Sequence, residues 1–130
     1  MNEDNEKISL SDLQLSIMRI LWAQPNSSTA QVTEALRSSR DLAHTTVATL
    51  LTRLEKRGLL SSQRDNRQIF YTALMSEAQI QRSMLSDLLA TVFKGNTRML
   101  LNHLIQDNEI HAADLDRVRQ LIDDQGEENV

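Results

Sequence analysis

The chain has 130 residues, of which 40% are hydrophobic and only 3% aromatic, so one small domain with an appendage would pack around an aliphatic core. It contains no cysteine, which excludes disulfides and thiolate metal sites. The polar first residues lack the pattern of a secretory signal, and no apolar run approaches the length of a membrane span. We therefore expect a cytoplasmic protein with no membrane partner.

The net charge of −4 is unevenly distributed along the chain. Residues 37–67 contain seven basic and three acidic side chains, whereas residues 107–130 contain eight acidic and two basic ones. The local field decides which partner a surface attracts, so the basic segment favours a polyanion despite the acidic total.

Two capping boxes predict the first two helices, one formed by Ser11 with Gln14 and the other by Ser28 with Gln31. Apolar residues at helical spacing follow each box, and the stretch 24–26, which contains Pro25, ends the first helix. The second helix is short, because residues 37–41 are polar.

A third helix is predicted from about Ala43 to Arg57. One face of it is apolar, with Gly58 placed to end the helix. That apolar face consists of Val47, Leu50, Leu51 and Leu54.

The stretches 59–64 and 67–72 predict two short strands, joined by a tight turn at Asp65-Asn66 and flanked by Arg64 and Arg67. Three helices followed by a two-stranded β-hairpin wing is the layout of a winged helix-turn-helix. We expect a mainly α protein in which residues 8–74 form this DNA-binding domain.

Aliphatic residues at helical spacing continue after Ser76, with a break at Gly95-Asn96 and further helices beyond it. This surface is too apolar for a small domain to cover, so residues 75–124 are expected to form a helical homodimerisation domain. Residues 125–130 are expected to be a disordered acidic tail. The predicted dimerisation residues are Leu88, Val92, Met99, Leu104, Leu115, Val118, Leu121 and Ile122.

The outer face of the third helix and the hairpin tip are the predicted DNA-binding surface. Threonine is a poor helix former, so four of them in one helix need another explanation. Short hydroxyls can approach base edges and phosphates in the major groove, and a threonine methyl can meet a thymine methyl. Arg53 on this face can bind guanine or a phosphate. The predicted DNA-binding residues are Thr45, Thr46, Thr49, Arg53, Lys56, Arg64 and Arg67.

Three stretches resemble the BlaI/MecI/CopY family of bacterial repressors: LSDLQLSIMRILW (Leu10–Trp22), VTEAL (Val32–Leu36) and AHTTVATLLTRLEKRGLL (Ala43–Leu60). The pattern TVxTLLxRLxxxGLL is the most specific part, and the resemblance extends through the C-terminal helices. It implies a homodimer on a pseudo-palindromic operator with TACA/TGTA half-sites, repressing genes of beta-lactam resistance or related stress responses.

The resemblance also implies two routes of induction. In the beta-lactam branch, a sensor triggers cleavage between Asn and Phe of an LNF motif. The matching stretch here is Leu101-Asn102-His103, so the candidate cleavage bond is Asn102–His103, with His103 in place of the Phe. The copper branch holds metal with paired cysteines, which this chain lacks. The histidines, His44, His103 and His111, fit no metal-binding spacing, and we expect no metal and no cofactor.

Two other functions stay open at this stage. A small molecule bound near Met84, Leu88 and Met99 would make the protein a ligand-responsive repressor, and a winged helix can instead bind a protein partner. An enzyme is not expected, since the sequence contains no phosphate-binding glycine loop and no catalytic Ser-His or Cys-His arrangement.

Overall fold

The order of elements follows the predicted helix and strand signals. A computed structural model describes residues 8–107, 113–114, 116–117 and 119–120. Its elements are α1 (Asp12–Ala23), β1 (Ser27–Ser28), α2 (Thr29–Leu36), α3 (His44–Lys56), β2 (Leu60–Asp65), β3 (Gln68–Ala73), α4 (Glu77–Thr91) and α5 (Thr97–Gln106). The chain divides into two compact units, Met1–Leu85 and Ser86–Val130, and the division falls within α4.

The first two helices begin at the predicted capping boxes. The Ser11 and Ser28 hydroxyls accept hydrogen bonds from the backbone N–H groups three residues later, and the glutamines at those positions bond back to the cap N–H. A third box starts α4, where the N–H of Gln79 donates to Ser76 Oγ at 3.1 Å and the N–H of Ser76 donates to Gln79 Oε1 at 2.8 Å. Each box satisfies two backbone donors that the helix itself leaves unpaired.

Gly58 ends α3 as the sequence predicted. Its φ of +81° lies in the left-handed region that favours glycine. The N–H of Gly58 donates to the carbonyl of Glu55 at 2.9 Å, and the N–H of Leu59 donates to that of Leu54 at 3.1 Å. These two bonds form a Schellman motif, and the burial of both leucines completes it. The chain therefore turns sharply from α3 into β2.

The hairpin has the predicted strands, but its turn was placed one residue too early. Asp65 pairs with Gln68, so the two turn residues are Asn66 and Arg67 and not Asp65-Asn66. Asn66 carries the positive φ, +59°. A third strand, β1, was not predicted: it pairs antiparallel with β3 and gives the order β1-β3-β2. Two serines before a capped helix carry no alternation of apolar residues, so no strand signal existed there.

The core of the first unit is aliphatic, as the composition required. It lies between α1, α2, α3, the sheet and the first turns of α4. Trp22 fastens the end of α1 by donating its indole N–H to the carbonyl of Met75 at 2.8 Å. The buried hydrophobic residues are Leu10, Ile17, Met18, Leu21, Val32, Leu36, Val47, Leu51, Leu54, Leu59, Leu60, Tyr71 and Ile80.

The second unit contains the end of α4 and the helix α5. The predicted break occurs where Gly95 has a φ of +82°, and Asn96 caps α5 by accepting from the N–H of Met99 at 3.0 Å. Phe93 and His103 place their rings 5.8 Å apart. Beyond α5, the described residues 113–114, 116–117 and 119–120 are helical. Four predicted dimerisation residues lie outside the described residues: Leu115, Val118, Leu121 and Ile122.

Candidate nucleic-acid interface

The two faces of α3 differ sharply in burial. Val47, Leu51 and Leu54 are fully enclosed by the core, because they recur at the helical period on the side that meets α1 and α2. The opposite side carries every helical residue of the predicted DNA-binding set, and all of them are exposed: Thr45, Thr46, Thr49, Arg53 and Lys56. The helix therefore offers a continuous polar surface that the fold itself does not use.

The threonines on this face do not all present the same chemistry. Thr49 Oγ1 donates to the carbonyl of Thr45 at 3.0 Å, and Thr52 Oγ1 donates to that of Ala48 at 2.9 Å. Such bonds to the preceding turn are a common solution for threonine inside a helix. Thr52 was not in the predicted set, although it lies on the same exposed side as Thr49 and Lys56.

Three of the seven basic residues in 37–67 are engaged within the first unit. Arg40 Nη2 lies 2.5 Å from Asp12 Oδ2, and Arg37 lies 3.4 Å from Glu34 Oε1. Arg57 Nη2 donates to the backbone carbonyl of Ser9 at 2.7 Å. Arg40 thus links the residues before α3 to the first residue of α1, and Arg57 links the end of α3 to Ser9 in the segment before α1.

The other four basic residues are exposed and make no ion pair with the part of the chain that the structure describes: Arg53, Lys56, Arg64 and Arg67. Arg53 and Lys56 lie in the last turn of α3, where cations favour the helix dipole. Arg64 lies opposite Ile69 in the hairpin, and Arg67 is in its turn. Within residues 37–67, the positive charge that no described acidic side chain pairs with therefore lies on α3 and the hairpin tip.

The hairpin is held beside α3 by a direct side-chain bond, in which the Ser62 hydroxyl donates to the Glu55 carboxylate. Between them lies a groove of about 350 Å³. Its lining includes Ala30 at the start of α2, Thr52 on α3, and Arg67 and Gln68 on the hairpin. The groove therefore separates a polar helix from a basic hairpin.

The model of the penicillinase repressor family matches residues 10–124 of the sequence. The chain belongs to this family. The transcriptional regulator BlaI of Mycobacterium tuberculosis (strain H37Rv) is 33% identical over 115 residues, which cover 87% of this chain and 82% of the relative. The methicillin resistance regulatory protein MecI of Staphylococcus aureus (strain N315) is 24% identical over 119 residues, covering 92% and 97%.

Among solved structures, the DNA-binding domain of the repressor BlaI superposes with a TM-score of 0.51 and 27% identity, covering 57% of this chain and 90% of that one. The predicted winged helix-turn-helix fold is therefore confirmed. As a penicillinase repressor family member, the chain is a DNA-binding transcriptional repressor and not an enzyme.

The predicted dimerisation residues within the described part of this repressor are incompletely covered. Leu88, Val92 and Met99 are 40%, 63% and 46% exposed, and Leu104 is half-buried. Ile105 is also exposed but was not predicted. The spacing of the apolar residues in α5 could have indicated Ile105, because it follows Leu104 directly.

The candidate cleavage bond, Asn102–His103, lies inside α5, and both residues are exposed. His44 is exposed at the start of α3, and His111 is outside the described residues. Within the residues that the structure describes, no three histidine or carboxylate side chains gather into a possible metal site. None of the helices described is both long and apolar enough to cross a membrane.

Proposed function

We propose that this repressor binds a pseudo-palindromic operator as a homodimer, with α3 in the major groove and the β2–β3 hairpin as the wing. The observation that supports it best is the outer face of α3, whose polar and basic side chains are exposed, while Val47, Leu51 and Leu54 on the opposite side are buried and Leu50 is partly buried. A helix of this kind fits the major groove, and the exposed positive charge lies where phosphates would flank it.

The exposed residues divide into base and phosphate contacts. Thr45 and Thr46 lie in the first turn of α3, the part of a recognition helix that reaches base edges. Arg53 is one helical turn beyond Thr49 and is proposed to bind guanine or a phosphate next to it. Lys56 at the end of the helix, and Arg64 and Arg67 on the hairpin, are proposed phosphate contacts.

Dimerisation through residues 75–124 is part of the proposal. Leu88, Val92 and Met99 expose apolar surface that a second copy would remove from water, at about 25 cal/mol per Å². A two-fold dimer presents two copies of α3 to two half-sites, which explains why a pseudo-palindrome would be bound.

We also propose a cytoplasmic location, where the operator DNA is. The relatives are named for methicillin resistance and penicillinase, which supports genes of beta-lactam resistance or a related stress response as targets. For induction, the proposal is a sensor protease or a small inducer. Because His103 replaces the phenylalanine of the LNF motif, cleavage at Asn102–His103 requires a protease that accepts histidine after the cut.

The test is fluorescence anisotropy of a labelled duplex with two TACA/TGTA half-sites, against a scrambled duplex, across a salt series. We expect a preference of about a thousandfold or more and a log–log salt slope that steepens by ~0.9 per phosphate contacted. Equal, weak binding to both duplexes would contradict this operator. Loss of all DNA affinity at low salt, with capture of a protein partner, would favour the protein-interaction function instead.

A further inference from the structure

The exposed threonines of α3 form two pairs that differ in their hydroxyl hydrogen bonds. Thr49 and Thr52 donate to carbonyls of the preceding turn, at 3.0 Å and 2.9 Å. Thr45 and Thr46 lie in the first turn, where the carbonyls four residues earlier belong to the loop before the helix. Among the residues that the structure describes, Thr45 and Thr46 have no bond of this kind, whereas Thr49 and Thr52 have already used their hydroxyl hydrogens.

We propose that Thr49 and Thr52 determine operator specificity by presenting their γ-methyl groups to the C5-methyl groups of two thymines. The inference rests on the proposed entry of α3 into the major groove, and it assigns a readout chemistry to two positions there. Thr45 and Thr46 remain the hydrogen-bonding threonines of the helix.

The physical basis is the single hydrogen of a hydroxyl group. When that hydrogen is directed to the helix backbone, the side chain has no donor left for a base acceptor such as guanine O6 or thymine O4. The side chain can then meet a base through its hydroxyl oxygen, which can only accept, or through its γ-methyl group, and the proposal assigns the contact to the γ-methyl group. In the major groove the apolar counterpart is the thymine methyl, which no other base pair presents.

The placement of the two residues indicates two different thymines. Thr52 lies in the groove that Arg67 and Gln68 line, on the hairpin side of α3. Thr49 lies one turn from Thr45 and one turn from Arg53, at the middle of the helix. Thr49 and Thr52 are both exposed residues, so the fold leaves room for a DNA contact at each position.

The experiment uses the full chain and the duplex with two TACA/TGTA half-sites, in which each thymine in turn is replaced by uracil, which removes only the C5-methyl. The protein variants are Thr49→Ser, which keeps the hydroxyl and loses the methyl, and Thr49→Val, which keeps the methyl and loses the hydroxyl. The same pair is made at position 52, and thermal unfolding confirms that each variant is folded.

Thr→Val is expected to leave operator affinity within about twofold, whereas Thr→Ser lowers it about fourfold, the effect of one methyl group removed from apolar contact. For the wild type, uracil at one particular thymine lowers affinity by a similar factor. That loss disappears in the serine variant at the matching position, which identifies the thymine that each threonine contacts.

Two results would overturn the inference. A larger loss for Thr→Val than for Thr→Ser would show that the hydroxyl oxygen makes the contact. Uracil losses that are the same in the wild type and both serine variants would show that the thymine methyls meet other groups. The proposed function fails separately, through equal binding of the wild type to the operator and scrambled duplexes.

Discussion

The two units of the chain differ in how far they bury their apolar side chains. Every buried hydrophobic residue that the structure describes, from Leu10 to Ile80, belongs to the unit Met1–Leu85. Of the described residues in Ser86–Val130, none is buried in the single chain, although α5 has a clear apolar side with Leu100, Leu101 and Leu104 half-covered. The first unit is closed by its own side chains, whereas the described part of the second leaves its apolar residues partly exposed.

This difference separates the sources of stability in the two units. A closed aliphatic core gains its burial free energy within one chain, so its stability does not depend on protein concentration. An open apolar surface gains that free energy only when a partner covers it, and the gain rises with concentration by mass action. The DNA-binding unit is therefore expected to be stable as a single chain, whereas the stability of the C-terminal unit is expected to depend on a second copy.

The largest effect is expected from Leu51→Ala in the closed unit. Leu51 is fully buried, so truncation leaves a cavity and lowers the free energy of unfolding by about 2–5 kcal/mol. Urea unfolding of the full chain at two protein concentrations measures it, and the decrease should be the same at both. The control is Leu74→Ala, since Leu74 is 58% exposed and should change stability by about 0.5 kcal/mol or less. A concentration-dependent loss for Leu51→Ala would contradict a self-sufficient unit.

The second prediction concerns the open unit. Leu88→Asp places a charge on the apolar surface that the second copy is proposed to cover, so burial of that charge would oppose association. We expect the dimer dissociation constant to rise about 100-fold or more, roughly 2.7 kcal/mol, by sedimentation equilibrium. Ser86→Asp is the matched control, because residue 86 is exposed and about 160° away around α4. An unchanged dimer in Leu88→Asp would move the interface to another surface.

The features that the sequence predicted well depend on residues close together in the chain. Capping boxes at Ser11 and Ser28 and the glycine stop at Gly58 are local signals, in which each partner lies within about five residues of the other. The apolar period of α3 is likewise local, so the helix, its buried side and its exposed side all followed from spacing.

The features that were missed depend on distant contacts. Strand β1 exists because Ser27 meets Tyr71, 44 residues later, and nothing in two serines indicates that pairing. Arg57 resembles the other basic residues in sequence, but its guanidinium donates a hydrogen bond to the Ser9 carbonyl and is therefore engaged within the first unit. Similarly, the sequence does not indicate that the Thr52 hydroxyl donates to the carbonyl of Ala48. Spacing indicates which face is polar, whereas the structure shows which polar groups are already engaged.

The third prediction compares a basic side chain without an ion pair among the described residues, Arg53, with one that has such a pair, Arg37. Arg53→Ala should weaken operator binding by about 1–3 kcal/mol if the guanidinium contacts a base, with dimerisation unchanged. Arg37→Ala removes the same charge from a residue that is paired with Glu34, and it should have little effect. Anisotropy on the operator and scrambled duplexes measures both. Equal affinities for the two variants would remove Arg53 from the operator-contacting set.

The smallest expected effect gives the most closely matched test of the two units. Gly58 and Gly95 have nearly the same backbone angle, φ +81° and +82°, and an added Cβ would meet nothing within 4 Å at either position. Alanine at either site therefore adds only the left-handed strain, about 1–2 kcal/mol, with no steric clash.

For Gly58→Ala that strain should lower unfolding stability equally at every protein concentration, because it acts in the closed unit. For Gly95→Ala it acts next to the surface proposed to need a partner, so we expect its effect to appear as weaker dimerisation, with the unfolding of the first unit unchanged. Since the two substitutions carry the same local strain, any difference between their concentration dependences measures how each unit is stabilised. Indistinguishable profiles by urea unfolding and sedimentation would show that the two units unfold together, and would replace the division with one cooperative structure.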